Sequence, residues 1–344
     1  MIKVIKILRK SVVIFACCLL VFNVSSCSKK SSSTNKDKVL LQKKNEKTIT
    51  DYEIKLGFST NMQDPRAEAA TLFKTLVEEE TGGHIRVALY PDGKLGSDAE
   101  LINSIIENKV DMTISSAGNY ATYVTPAGYS AMPFIFSDFE EAWAFLDSKS
   151  NQKINKAFES YNMVVLGYFD NGFRCVTTSK NVGPVNKTAD MDGLVIRTSQ
   201  NQIVMETMYA LNAIPKSYPF AELKEALGNG LFSAQENPVP VIYNNKLYEV
   251  QSYLAITNHS YDAMPLTIRK ELWDNLSPEY QNIIKQAANQ AQALDRKLVK
   301  KQTEDYIAEL KKLGMIITYP DLEEFKAATS GVFDVFSSVY GNLF

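Results

Sequence analysis

The sequence predicts an α/β fold built on a mostly parallel, doubly wound sheet. Two observations support this. From Tyr52 onward, short runs of alternating apolar residues are followed by segments with an apolar residue at every third or fourth position. Helix start and stop signals, such as Pro65 and Gly82-Gly83, separate those segments. Strands that alternate with helices pair in parallel through helical crossovers, which gives this fold class.

The first elements show the pattern most clearly. Tyr52–Ser59 alternates as a strand, and Pro65 begins a helix that ends at Gly82-Gly83. Ile85 to Leu89 is predicted to be a second strand. Ser97 and Glu100 form a capping box at the start of the next helix. Val110–Ile114 is the third predicted strand.

The later elements follow the same logic. The predicted strands are Met163–Tyr168, Leu231–Ala234, Tyr253–Thr257 and Ile316–Tyr319, and the predicted helices are Ser137–Leu146, Asn201–Leu211, Phe220–Leu227, Glu279–Leu313 and a closing helix from Leu322.

Two arginines lie in the stretch from Tyr168 to Gln200. Arg174 and Arg197 each follow a glycine and apolar or aromatic residues, which places each at or inside a strand. Arginine suits a carboxylate because its fork makes two parallel hydrogen bonds. The stretch is therefore either the floor of a pocket for a small organic anion or the site of two structural ion pairs.

Charge is distributed unevenly along the chain. Residues 1–47 hold 11 of the 37 basic residues and 2 of the 39 acidic ones, which leaves a net charge of −11 on residues 48–344. Nucleic-acid binding needs a basic face, so this body is not predicted to bind nucleic acid. An anion site has to be built from local cations.

The N-terminus has the pattern of a targeting segment. Four basic residues precede Val12–Phe22, an apolar run of signal-peptide length that is too short to span a bilayer. The following Val24-Ser25-Ser26-Cys27 resembles a bacterial lipobox, in which Cys27 is lipidated after cleavage. An ordinary signal peptide cleaved nearby is the alternative. Residues 28–50 are polar and lysine-rich, which predicts a disordered tether.

Catalytic signatures are sparse. The two histidines, His84 and His259, have no partner at metal-ligand spacing, and no nucleophile elbow or phosphate loop is present. No metal and no cofactor are predicted. A dyad of Cys175 and His259 is conceivable, but a core thiol and a core histidine are the favoured interpretation. Cys175 is the only cysteine after Cys27, so no internal disulfide is predicted.

Several polar residues are predicted at strand ends, where ligands bind in doubly wound sheets. Ser59, Ser116 and Asn119 lie at or near the ends of the first and third strands. The run from Gln235 to Pro238 follows another and could supply amide donors, plus a carboxylate that holds an arginine. Phe220 could stack on a ligand ring or fill the core.

These stretches resemble the extracytoplasmic solute-binding proteins of TRAP transporters, the DctP family. Eight segments match in order and spacing, covering nearly all of the body: Leu89–Leu101, Val110–Ser115, Met132–Phe136, Asn171–Arg174, Gly193–Thr198, Pro219–Leu223, Gln235–Pro238 and Leu247–Tyr261.

The resemblance implies a two-lobed periplasmic-binding-protein fold, with a long helix spanning both lobes, that closes on its ligand. It implies that Arg197 pairs with the ligand carboxylate and that Glu236 holds Arg174 and meets His259 in a buried triad. The candidate ligand contacts are Arg197, Arg174, Asn237, Phe220, Gln235, Ser116, Asn119, Ser59 and Asp98. It places lobe 1 at residues 51–171 plus about 262–301, and lobe 2 at residues 172–261 plus about 302–344.

The function implied is that of a receptor that delivers a carboxylate-bearing solute to the membrane subunits of a TRAP permease. A sugar acid (uronate, aldonate or keto-sugar acid) is the expected ligand. Ser116 and Asn119 stand where sialic-acid binders carry charged residues, which argues against sialic acid. A C4-dicarboxylate is the alternative ligand, and a sugar-acid enzyme is the alternative of another class. The protein is expected to be a monomer outside the cytoplasm, held to the membrane by lipid on Cys27.

Overall fold

The computed structural model describes residues 51–340, with side chains through residue 336. The predicted signal peptide, Cys27 with its predicted lipid, and the predicted tether, as well as the last four residues, lie outside that range. The strands are β1 (Tyr52–Gly57), β2 (Ile85–Tyr90), β3 (Met112–Ile114), β4 (Met163–Thr178), β5 (Val195–Thr198), β6 (Ile214–Ser217), β7 (Ala234–Pro238), β8 (Tyr253–Arg269) and β9 (Ile316–Thr318).

Helices follow most of the strands, as the alternation predicts. They are α1 (Pro65–Glu80), α2 (Asp98–Ile106), α3 (Ala117–Tyr120), α4 (Phe139–Leu146), α5 (Lys149–Ala157), α6 (Gln202–Ala210), α7 (Leu223–Gly228), α8 (Val239–Asn244), α9 (Lys270–Asn275), α10 (Pro278–Lys312) and α11 (Leu322–Tyr340). None of these helices combines the length and the apolar character that a membrane-spanning segment needs.

The nine described strands form one sheet in the order β2-β1-β3-β8-β4-β7-β5-β6, with β9 beside β8. Pairs β1-β2, β1-β3, β5-β6, β5-β7 and β8-β9 are parallel, whereas β3-β8, β4-β8 and β4-β7 are antiparallel. The sheet is thus mostly parallel at its two sides and antiparallel where the long strands β4 and β8 run through its middle.

The sheet has two halves, and β4 and β8 belong to both. The first half joins β1, β2 and β3 to the end of β8, and its core contains Phe73, Phe169 and Ile284. The second half joins β5, β6 and β7 to the end of β4, and its cores contain Ile196, Leu254 and Leu310. Helix α10 contributes to both cores, Ile284 to the first and Leu310 to the second, so it spans both halves.

The long strands correct the sequence predictions. The structure extends the predicted strand Met163–Tyr168 to Thr178 and extends Tyr253–Thr257 to Arg269. The chain continues through Gly172, whose φ of +99° only glycine adopts easily, at a register shift between Asp170 and Gly172. Turn-forming residues therefore mark a bulge inside a strand here.

Strand β7 was also misplaced from the sequence. Leu231 was predicted to begin a strand, but it is exposed, and the strand itself is Ala234–Pro238. Its polar side chains are buried because they bond to the neighbouring strand, a pairing that local periodicity does not reveal.

Candidate ligand-binding site

A cavity of about 150 Å³ lies between the two halves of the sheet. The first half contributes residues that follow β1 and β3 and the start of α2. The second half contributes the end of β5 and the loop after β6. Of the predicted ligand contacts, the cavity is lined by Ser59, Asp98, Ser116, Asn119, Arg174, Arg197, Phe220 and Asn237. Strand ends from both halves thus converge on one site.

Arg197 is a buried cation without an acidic partner. It is only 3% exposed, and its Nε and Nη2 donate to the carbonyl oxygen of Tyr218 at 2.9 and 2.6 Å. No carboxylate of the described residues forms an ion pair with it. Burial lowers the pKa of Arg197 to about 10, because a charged group loses hydration there. The Phe220 ring lies 5.8 Å from the guanidinium carbon.

Arg174 is equally buried but fully neutralised. Its Nε and Nη2 donate to the carboxylate of Glu236, and its Nη1 donates to Asp262 Oδ2 at 2.5 Å. Burial alone would lower the pKa of Arg174, but the two carboxylates outweigh it and raise the pKa above the ordinary value. The two arginines therefore differ: one is saturated by the protein and the other is not.

His259 stands beside this ion pair. Its Nε2 lies 3.6 Å from Glu236 Oε2, beyond hydrogen-bond distance, while its Nδ1 is 2.8 Å from the hydroxyl of Thr257. Burial lowers the pKa of His259 and favours the neutral ring. Asp262, which the sequence did not single out, is the second carboxylate on Arg174.

Asp262 also ties Arg174 to the first half of the sheet. The Ser116 hydroxyl donates to Asp262 Oδ1 at 2.5 Å, and Asn171 Nδ2 donates to Asp262 Oδ2 at 2.8 Å. Arg66, at the start of α1, then donates to Asn171 Oδ1 at 3.2 Å. Arg66, Asn171 and Asp262 all line the cavity, and no motif in the sequence pointed to Arg66 or Asp262.

Gln235 does not line the cavity, in contrast to its prediction as an amide donor to the ligand. It is fully buried; its Nε2 donates to the Thr177 hydroxyl, and its Oε1 accepts from Asn237 Nδ2 at 2.5 Å. Gln235 and Asn237 share one face of β7, but Asn237 lies nearer the end of the strand, and only it reaches the cavity. Gln235 positions Asn237.

Several polar atoms at the cavity wall have no partner among the described residues. They are Asp98 Oδ1, Asn119 Oδ1 and Thr60 Oγ1. Asp98 uses its other oxygen to accept from the Ser116 amide at 3.1 Å. Buried polar atoms are normally satisfied, so these atoms are available to a bound solute or to water.

The Cys175 and His259 dyad does not form. Neither residue lines the cavity, and the Cys175 thiol contacts Asn258 Oδ1 at 3.2 Å. Burial raises the pKa of Cys175 to about 11, so the thiol stays protonated at neutral pH. In the part of the chain that the structure describes, no group of three or more His, Cys, Asp or Glu residues is arranged to hold a metal ion.

Comparison with known proteins identifies the family. Residues 56–338 match the model of the bacterial extracellular solute-binding proteins, family 7 (DctP). The chain belongs to this family. This solute-binding protein is similar to the 2,3-diketo-L-gulonate-binding periplasmic protein YiaO of Escherichia coli (strain K12), with 33% identity over 82% of this chain and 85% of the relative.

Solved structures of TRAP solute-binding proteins share the fold of this protein. One from Polaromonas, bound to D-erythronate, has 30% identity and a TM-score of 0.81 over 84% of this chain and 95% of its own. A sugar-acid-binding protein from Advenella mimigardefordensis, in complex with galactonate, has 29% identity and a TM-score of 0.81 over 84% and 94%. The resemblance to the DctP family and the two-lobed fold are therefore confirmed. The family works outside the cytoplasm.

Proposed function

We propose that this solute-binding protein is a receptor for a sugar acid, which it delivers to the membrane subunits of a TRAP permease. The observation that carries the proposal is Arg197, a buried guanidinium in the cavity without a carboxylate partner among the described residues. A buried charge is costly unless it is paired. A ligand carboxylate supplies the missing partner.

The geometry of Arg197 leaves one edge for that carboxylate. The carbonyl oxygen of Tyr218 occupies the edge formed by Nε and Nη2. The end formed by Nη1 and Nη2 remains, with two parallel N–H groups, which is the arrangement that binds a carboxylate in bidentate fashion. Tyr218 therefore fixes the plane of the guanidinium before the ligand arrives.

The unpaired atoms of the cavity favour hydroxyl groups on the rest of the ligand. Asp98 Oδ1 and Asn119 Oδ1 are acceptors. A hydroxyl donates to such atoms, whereas a second carboxylate would be repelled by Asp98. An aldonate, uronate or keto-sugar acid combines one carboxylate with several hydroxyls, which matches this distribution. The relatives bound to D-erythronate and galactonate carry ligands of this class.

Arg66 supports a second candidate, a C4-dicarboxylate. It lines the cavity and is 1% exposed, and its ion pair with Asp64 is long, at 4.0 Å from Nε. A second carboxylate on the ligand would complete its pairing. This candidate has to place a dianion near Asp98, which makes it the weaker of the two.

Binding without catalysis is part of the proposal. Arg174 is paired with both Glu236 and Asp262, and Cys175 lies outside the cavity. These residues position the cavity floor and offer no nucleophile to the ligand. A bound sugar acid should be recovered unchanged after long incubation, as followed by NMR of the released solute.

We propose that the lobes meet where Gly172 pairs with Asp262 on the two long strands. Lobe 1 would comprise residues 51–171 and about 262–301, and lobe 2 the remainder of the body. The positive φ of Gly172 and the nearby register shift support a hinge there.

Cys27 lies outside the described residues. We propose that it carries lipid, that the tether reaches from the membrane to a monomeric body, and that no nucleic acid binds.

A thermal-shift screen tests the ligand class. A ligand that binds only the folded state stabilises it by about 2.7 kcal/mol at a concentration of 100 times its Kd. Aldonates, uronates and keto-sugar acids should raise the melting temperature, and titration calorimetry should then give a one-to-one complex. A response to succinate or malate alone would favour the dicarboxylate, and no response to any acid would contradict the proposal.

A further inference from the structure

One of the contacts between the two lobes is made at a glycine. A Cβ atom at Gly118, in α3, would lie 1.8 Å from Nδ2 of Asn201 and 2.3 Å from its Cγ. No real Cβ contact is that short, so position 118 accepts no side chain while Asn201 stays in place. The backbone of Gly118 does not adopt a positive φ. The steric conflict with Asn201 is therefore what distinguishes glycine from alanine here.

Asn201 cannot move aside without loss. It is the N-cap of α6, and its Oδ1 accepts from the amides of Ile203 and Val204 at 3.0 and 3.3 Å. Losing such a cap costs about 1 kcal/mol. Its side chain is 2% exposed, so no free space surrounds it.

Both residues of this contact lie next to residues that line the cavity. Gly118 stands between Ser116 and Asn119, which line the cavity from the first half of the sheet. Asn201 follows Ser199 and Gln200, which line it from the second half. The contact of Gly118 with Asn201 thus helps to set the distance between these two walls, beside the apolar cluster of Ala131, Met132, Ile203 and Val332.

We propose that Gly118 and Asn201 form the closing contact of the receptor, in which the bare backbone of α3 rests on the capping amide of α6. This inference rests on the proposed function, since closure matters only if the protein binds a solute. In an open form α3 and the start of α6 separate, and a methyl group at position 118 meets nothing. In the closed form that methyl group keeps the two cavity walls apart, so Asn119 lies too far from the ligand to contact it. Gly118 is therefore a positioning residue.

The test compares four variants with the wild type by calorimetry, using the sugar acid that the screen identifies. Gly118→Ala should melt like the wild type without ligand and bind about ten- to a hundredfold more weakly, the range expected for one misplaced methyl group. Gly331→Ala is the matched control, because a Cβ at that helical glycine meets nothing within 4 Å. Asn201→Ser keeps a capping hydroxyl but shortens the side chain. Gly118→Ala placed in that background should lose much less affinity.

A ligand-free readout separates this inference from the proposed function. Asn61 Nδ2 donates to Asn245 Oδ1 across the cleft at 2.9 Å, so cysteines at 61 and 245 should be joined by a short bismaleimide only when the lobes close. The buried Cys175 does not compete. Gly118→Ala should slow this crosslinking severalfold. If no acid binds the wild type, the proposed function fails while the crosslinking rate still decides the inference.

Four outcomes would overturn the closing contact. Gly118→Ala could bind within about threefold of the wild type, or crosslink at the same rate. The loss of affinity could be equal in the Asn201→Ser background. The Gly118→Ala protein could also fail to fold in both backgrounds, which would make Gly118 a requirement of the fold and not of closure.

Discussion

Arg197→Ala should abolish most of the affinity for the ligand. The guanidinium is 3% exposed and has no acidic partner among the described residues, so its charge is directed at the solute carboxylate. Removing one partner of a buried ion pair costs about 3–5 kcal/mol. At about 1.4 kcal/mol for each tenfold change, the Kd should rise roughly a hundredfold to a few thousandfold.

Two further variants separate the contribution of the two parallel hydrogen bonds of Arg197 from that of its charge. Arg197→Lys keeps the charge but loses the two parallel donors, so it should recover only part of the affinity. Arg197→Met fills the space without charge. Because burial lowers the pKa of Arg197 to about 10, the guanidinium is still charged at neutral pH, and burying that charge without a partner destabilises the unliganded fold. The unliganded Arg197→Met protein should therefore melt no lower than the wild type.

Titration calorimetry on the identified acid measures these effects. Arg86→Ala is a suitable control, because Arg86 is exposed on the edge strand β2 and its loss changes the net charge equally. An Arg197→Ala affinity within about threefold of the wild type, which is under about 1 kcal/mol, would refute the reasoning. Arg197 would then be structural, and Arg66 would be the next cation to examine.

Three other predictions follow from the same structure. Glu236→Ala leaves Arg174 paired with Asp262 but removes the carboxylate from its Nε and Nη2, so it should lower stability by about 1–3 kcal/mol and the melting temperature by about 5 °C; melting like the wild type would show that the pair is dispensable. Asp98→Asn should weaken sugar-acid binding about tenfold or more but improve binding of succinate relative to it; equal effects on both solutes, measured by calorimetry, would contradict the hydroxyl assignment. Cys27→Ser should move the protein from the membrane to the soluble fraction or leave it unprocessed, and normal maturation with retention on the membrane, seen by fractionation and blotting, would argue against the lipid.

Local signals were enough to predict much of the fold. The helix that begins at Pro65 has its N-cap at Asp64, and Ser97 and Glu100 form the capping box that their spacing predicts. Both arginines lie in strands, as the preceding glycines suggested. These features depend on residues a few positions apart, which is the range that periodicity and capping rules cover.

What the sequence did not reveal depends on distant partners. The polar run of β7 looked like a loop until Arg174, 62 positions away, supplied the bonds that bury Glu236. Asp262 stands just beyond the last matching segment, and its importance comes from Arg174 and Ser116. Gln235 and Asn237 are equivalent in residue type and share one face of β7, and only the position of the cavity at the end of the strand distinguishes them.

Helix α10 has a mechanical consequence for the receptor. It runs 35 residues, roughly 50 Å, without an interior glycine or proline, and passes the hinge where Val299 and Thr303 face Gly172. Such a helix has no point of easy bending, so a rotation between the lobes has to be spread as curvature over several turns. The helix therefore resists rotation of one lobe against the other about the hinge. The free-energy difference between the open and closed forms therefore depends on the bending stiffness of α10 as well as on the ligand. A flexible residue on the exposed face of α10 would change the affinity for the ligand although it lies outside the cavity.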